Sequence, residues 1–138
     1  MSYQSKVTVR YAETDRMGIT HHSVYFIWFE EARSMWVKSS GLSYSEIEKR
    51  GIMMPVVDLS CHYYGTSDYM DELLIVTSMT KLTAAKICFE YNIYKENSLI
   101  TKGYSMHAWV DGKTFKPINV KKHAPDIYNL MYNALDKK

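Results

Sequence analysis

The stretch Val24-Tyr-Phe-Ile-Trp-Phe29 is the strongest constraint in this chain. Wound as a helix, it shows apolar side chains on every face, and charge enters only at Glu30, Glu31 and Arg33. A helix that is apolar all round has no solvent side, so its N-terminal half must be wrapped by the rest of the chain. The helix predicted over residues 23–38 would span about 24 Å, the width of a small sheet.

The remaining sequence supplies such a sheet. Residues 6–11 read as a short strand in which Val7, Val9 and Tyr11 alternate with polar neighbours. Ser43-Tyr-Ser-Glu46 is a capping box, and the short helix it starts stops at Gly51. Long strands are predicted over 56–64, 73–82, 86–95 and 99–111. In the third of these, Ile87, Phe89, Tyr91 and Ile93 alternate with Cys88, Glu90, Asn92 and Tyr94. The connections Thr83-Ala84-Ala85 and Glu96-Asn97-Ser98 are short enough for hairpins, which makes this part an antiparallel meander. Gly103 inside the last strand predicts a bulge or a close backbone approach. Pro125, followed by Ile127, Leu130, Met131 and Leu135, marks a C-terminal amphipathic helix. The expected class is α+β: about five antiparallel strands curled around one helix, in a single domain over 1–138.

Charge narrows the function classes. With 17 basic against 15 acidic side chains, the chain lacks the strong positive balance of a small nucleic-acid binder, and no nucleic-acid partner is expected. The N-terminus carries no apolar leader, and the longest aliphatic run, Leu73 to Val76, is far too short to span a membrane. Cys61 and Cys88 lie inside predicted strands without metal-ligand spacing, so they read as reduced core thiols of a cytoplasmic protein. His21 and His22 diverge on a helix and have only Asp15 as a nearby acid, so no metal site is expected.

Chemistry concentrates before the apolar helix. Asp15, Gly18 and His22 bring a carboxylate, a conformationally free residue and the open N–H groups of a helix start within eight residues. This places an acid beside a preformed seat for developing negative charge, an acyl-transfer or hydrolysis site without a serine or cysteine nucleophile. Glu30 and Arg33, one turn apart, are expected to pair.

Thr14-Asp15-Arg-Met-Gly18-Ile-Thr-His-His22-Ser-Val-Tyr25, with Phe29-Glu30-Glu31-Ala32-Arg33 and the strand order behind them, resembles the hotdog-fold acyl-CoA thioesterases. The closest type is the 4-hydroxybenzoyl-CoA thioesterases, including the thioesterase encoded with the Tol–Pal system, and the resemblance runs over residues 6–117. It implies a hotdog fold and hydrolysis of a coenzyme A thioester, with coenzyme A as part of the substrate and no separate cofactor. It also implies a homodimer or homotetramer with its active site at a subunit interface. By the resemblance Asp15 is the nucleophile or general base, and the backbone N–H of His22 holds the carbonyl oxygen while its imidazole helps position substrate. Gly18, Ile19 and Tyr25 are then substrate-contacting residues. Lys86, at the hairpin where the family tends to bind coenzyme A, joins them. Two departures stand out. Thr20-His21 replaces a hydrophobic residue and a tyrosine, which bears on acyl preference. Ser67-Asp68 replaces a common Pro-Ala and is expected to alter only a loop. The rival readings are a hotdog hydratase or dehydratase, whose helix motif is absent, and a non-catalytic acyl-thioester binder, to which Asp15 would be of little use.

Overall fold

A computed structural model of the protein describes residues 2–135. The chain runs through β1 (Ser2–Thr8), a 3₁₀ turn (Tyr11–Glu13), α1 (Val24–Ser39), α2 (Tyr44–Lys49), β2 (Ile52–Met53) and β3 (Val56–Tyr63). It continues with β4 (Glu72–Leu82), β5 (Lys86–Lys95), β6 (Ser98–Ala108), β7 (Val110–Asp111), α3 (Val120–His123) and α4 (Pro125–Asn133). Five strands form one antiparallel sheet in the order β1-β4-β5-β6-β3, and β2 pairs with β7 in a small second one.

The large sheet curls over α1. Leu73, Ile75 and Met79 of β4 and Ile87, Phe89, Tyr91 and Ile93 of β5 bury the face that receives Phe29, Trp36 and Val37 of the helix. Phe29 stacks on Tyr91 with ring centroids 4.5 Å apart, and Trp36 meets Phe89 edge-on at 5.2 Å. Gly103 makes the first of these contacts possible. A Cβ there would lie 2.3 Å from two Phe29 ring atoms, so β6 approaches the helix more closely than any side chain allows. Of the two roles expected for Gly103, close approach is the one found: the pairing of β6 is regular there, Cys61 and Tyr91 flanking it in register.

Four expectations need correction. β1 lies earlier than residues 6–11, because its ladder with β4 runs out where Thr8 meets Glu72. Tyr11 then opens the 3₁₀ turn with 72% of its surface exposed, outside any strand alternation. The last strand is not continuous: Trp109 donates its N–H to Ala85 O, the chain leaves the sheet, and β7 turns to pair with β2. The helix is wrapped on one side only, since Ile27 and Met35 remain 55% and 44% exposed while Tyr25, Trp28, Phe29 and Trp36 are buried. Glu30 and Arg33 form no ion pair, because Arg33 turns inward to two phenols.

That inward arginine heads a chain of hydrogen bonds with one possible direction. Arg33 donates from Nε to the Tyr44 hydroxyl and from Nη1 to the Tyr91 hydroxyl, both at 3.0 Å. Burial raises Tyr44 to about 12 and lifts Tyr91 above the usual range, so both stay neutral. The Tyr91 hydroxyl lies 2.7 Å from Ser105 Oγ, and Ser105 Oγ lies 2.9 Å from His107 Nε2. His107 Nδ1 is 3.0 Å from Met54 O, an acceptor only, so Nδ1 carries the proton and Nε2 accepts from Ser105. The imidazole is 1% exposed, and its pKa is pushed down to about 4 by burial and by the Arg33 charge.

Candidate active site

The turn before α1 is built around Asp15. Its backbone N–H donates to Ile19 O at 2.9 Å, and its carbonyl takes the Gly18 N–H at 3.0 Å. The carboxylate Oδ1 accepts the Met17 N–H at 2.8 Å, the local bond that makes Asp a turn residue, and Oδ2 has no partner among the described residues. Gly18 closes the turn at φ +84°, and a Cβ there would meet nothing within 4 Å. It is required for its backbone conformation and not for lack of room.

Asp15, Met17, Ile19, Thr20, His22, Tyr25, Tyr63, Gly65 and Thr66 line one cleft of about 130 Å³. Four of the expected site residues, Asp15, Ile19, His22 and Tyr25, therefore meet there, with Gly18 in the turn that shapes its rim. His22 sits at the surface just before the helix, and its carbonyl accepts the Tyr63 hydroxyl at 2.7 Å. No described residue accepts the His22 N–H. The next two N–H groups are taken, Ser23 donating to His21 Nδ1 at 3.2 Å and Val24 to His21 O at 3.0 Å; Ser23 makes no side-chain cap, its hydroxyl being held by the same His21 nitrogen at 2.7 Å. The His21 and His22 rings pack with centroids 4.2 Å apart, which gives His21 a local structural role. Tyr25 is 2% exposed and sits edge-on to Trp28 and Tyr63, at 5.0 and 5.3 Å. Partial desolvation of its hydroxyl and its contact with Cys61 push Tyr63 above the ordinary phenol range, so it remains a neutral donor.

Lys86 is not brought to this cleft within one chain. Tyr63 aligns across the sheet with Thr101 and Ile93, whereas Lys86 lies seven residues further along β5, roughly 23 Å away by strand rise. Its hairpin instead meets the C-terminal region, where Val120 donates to Ala84 O. Sequence reasoning missed Tyr63, Thr66 and Ser67, all from the end of β3 and the loop after it, which nothing in their own spacing connects to Asp15. Ser67 also corrects the expectation that its departure alters only a loop. The residue is 1% exposed, its carbonyl takes the Thr20 N–H at 2.8 Å, and its hydroxyl contacts both Thr20 and Tyr25.

A wider cleft of about 430 Å³ opens beside the middle of α1, lined among others by Glu30, Arg33, Tyr44, Met54, Pro55 and Phe115. It is the roomier of the two, but it contains neither the free carboxylate oxygen of Asp15 nor the open N–H at the helix start. Chemistry, not volume, selects the smaller cleft.

Comparison with known proteins gives the family. The thioesterase superfamily profile matches residues 17–101. A Bacillus subtilis protein named as an acyl-CoA thioesterase, YneP, is 37% identical over 124 residues, covering 89% of this chain and 90% of its own. The acyl-CoA thioesterase YbgC of Haemophilus influenzae is 26% identical over 84% of this chain and 86% of its own. The crystal structure of a DHNA-CoA thioesterase from Staphylococcus aureus superposes with a TM-score of 0.91 at 32% identity, covering 96% of this chain and 89% of that one. With its five-stranded sheet closed over a central helix in the hotdog manner, the chain belongs to the thioesterase superfamily, among its acyl-CoA thioesterases.

Proposed function

We propose that the protein hydrolyses an acyl-CoA thioester to a carboxylic acid and free coenzyme A, with Asp15 as nucleophile or as general base for water. The observation that carries this reading is one cleft shared by a carboxylate with a free Oδ2 and a helix start with an unclaimed N–H at His22. A thioester carbonyl seated there sets its oxygen on the His22 N–H, where charge develops as the tetrahedral intermediate forms. Asp15 then adds to the carbonyl carbon, expelling the thiolate and leaving a mixed anhydride that water opens to the acid, or it takes a proton from water that adds to the carbonyl, and the tetrahedral intermediate expels the thiolate. The Tyr63 hydroxyl, by holding the His22 carbonyl, keeps this turn in place.

The working unit in this reading is a dimer joined along β3. This strand ends the sheet, so apart from the Leu59 N–H, which Asp58 Oδ1 takes at 2.9 Å, its outer row of backbone groups faces no strand among the described residues, and Val56, Val57, Leu59 and Tyr63 are each more than 40% exposed. Antiparallel pairing of two such edges sets the Tyr63 end of one strand against the Pro55 end of the other. The Asp15 cleft of one subunit then abuts the wider cleft of its neighbour, giving an acyl group room that 130 Å³ does not offer. The same pairing brings Lys86 of the partner subunit toward the Asp15 end, where a phosphate of coenzyme A would meet it. Free thiols at Cys61 and Cys88 fit a cytoplasmic enzyme.

The test is Asp15→Asn, assayed by thiol release from a panel of aromatic and aliphatic acyl-CoA substrates. The reading expects turnover to fall about 10³-fold with the fold intact. Turnover within a few-fold of the parent would remove Asp15 from the mechanism.

A further inference from the structure

Three hydroxyls are buried behind the cleft, and Ser67 is at their centre. Thr20, Ser67 and Tyr25 are 4%, 1% and 2% exposed. Ser67 Oγ lies 2.6 Å from Thr20 Oγ1 and 2.9 Å from the Tyr25 hydroxyl, and Thr20 Oγ1 also donates to Ser67 O at 3.2 Å. Three protons serve these three contacts. Once Thr20 donates to the Ser67 carbonyl, Ser67 must donate to Thr20 Oγ1, and Tyr25 must donate to Ser67 Oγ. The Tyr25 proton is thereby committed away from the cleft.

The cluster also joins parts that lie more than 40 residues apart in sequence. Thr20 pairs across the turn with Thr14, directly beside Asp15, and its N–H is held by Ser67 O at 2.8 Å. Tyr25 stands on the first turn of α1, three residues after His22. Ser67 belongs to the loop between β3 and β4, so it ties the Asp15 turn and the helix start to one point of the sheet.

Resting on the assignment of Asp15 and His22 made above, we propose that Ser67 is a positioning residue for thioester hydrolysis: through Thr20 and Tyr25 it sets the carboxylate and the helix start relative to each other. It touches no substrate. Because an error of about 1 Å in such a site costs up to ~10²-fold in rate, its effect falls on turnover and not on substrate capture.

A double-mutant cycle tests this on the full-length protein, with Ser67→Ala, Tyr25→Phe and the pair assayed for kcat and KM. Each single variant is expected to lower kcat about tenfold with KM changed by less than about threefold, and the pair is expected to be no worse than either alone. Ser67→Thr, which keeps the hydroxyl, should recover most of the lost kcat. Losses that multiply in the pair, or parental kcat in a folded Ser67→Ala, would overturn the proposal, since a residue that only supports stability lowers Tm and leaves kcat alone. If Ser67→Ala is unfolded at the assay temperature, Tyr25→Phe decides: parental kcat refutes the coupling, and a loss confined to kcat supports it. Asp15→Asn run in parallel separates two failures. An active Asp15→Asn sinks the site assignment, whereas an inactive one beside an unaffected Ser67→Ala sinks only the role of Ser67.

Discussion

Acid should destabilise this protein through one imidazole. His107 is neutral in the fold, with Nδ1 donating to Met54 O and Nε2 accepting from Ser105. A proton on Nε2 would force Ser105 to turn its hydroxyl to Tyr91, whose own proton would then face the Arg33 guanidinium that already donates to it. The added charge is also buried and lies near that guanidinium, so the folded state resists it down to about pH 4. An unfolded chain takes up the same proton near its ordinary value of 6.5. Between those two values the unfolded state binds more protons, so stability falls as pH drops through the window and levels off below it. The gap corresponds to roughly 3 kcal/mol, a large part of the stability of a small domain. Urea unfolding followed by tryptophan fluorescence, at fixed protomer concentration and at steps from about pH 7 to about pH 4, measures it. His107→Gln supplies the control, since an amide can donate to Met54 O and accept from Ser105 without titrating. The parent should lose roughly 3 kcal/mol more than the variant across the window. Equal losses in both would refute the reasoning, and carboxylates held low by partners, such as Asp126 at about 2 beside Arg50, titrate in both alike.

Other outcomes follow from the cleft and the core. His22→Ala should retain far more turnover than Asp15→Asn, with its loss mostly in KM, because the donor proposed for the carbonyl is main chain; equal collapse of kcat in both would make the imidazole a principal catalyst. Gly18→Val should lower turnover more than His22→Ala does, since φ +84° is closed to a β-branched residue although the space is open; parental kinetics would refute this. Gly103→Ala should cost about 3 kcal/mol or more, because Phe29 must retreat by over an ångström from a stack it holds at 4.5 Å. An unchanged urea midpoint would show that the helix yields freely.

What could be read in advance was local. The strict alternation of 87–94 reports a period that only a strand produces, and the apolar run 24–29 leads without a break into the charged residues of one helix; β5 and α1 lie where the sequence puts them. Asp15, Gly18 and His22 were legible because turn chemistry and helix starts are written in neighbouring residues. β1 was displaced because Ser2-Tyr-Gln-Ser5 carries no strand signal of its own and is extended only by its ladder with β4. The break at Trp109 depends on a bond to Ala85, and the burial of Ser67 depends on Thr20 and Tyr25 more than 40 residues away. Lys86 shows the converse. A residue can sit in a suggestive hairpin and yet be carried by sheet register to the far end of its own subunit.

The bare edge of β3 has a consequence for handling the protein. Its eight residues carry one carboxylate, Asp58, beside a bulge, and otherwise two valines, a leucine, a serine, a cysteine, a histidine and a tyrosine, along an outer edge where Asp58 holds the Leu59 N–H and no strand pairs. Such an edge accepts strands from any source, so a subunit without the partner proposed above would be exposed to promiscuous β-addition. Substitutions that weaken the proposed pairing of this edge should therefore announce themselves as aggregation during expression and concentration, before any loss of catalysis is measured. A second charge at Leu59, such as Leu59→Lys, would block both outcomes together, leaving a dispersed chain that no longer assembles.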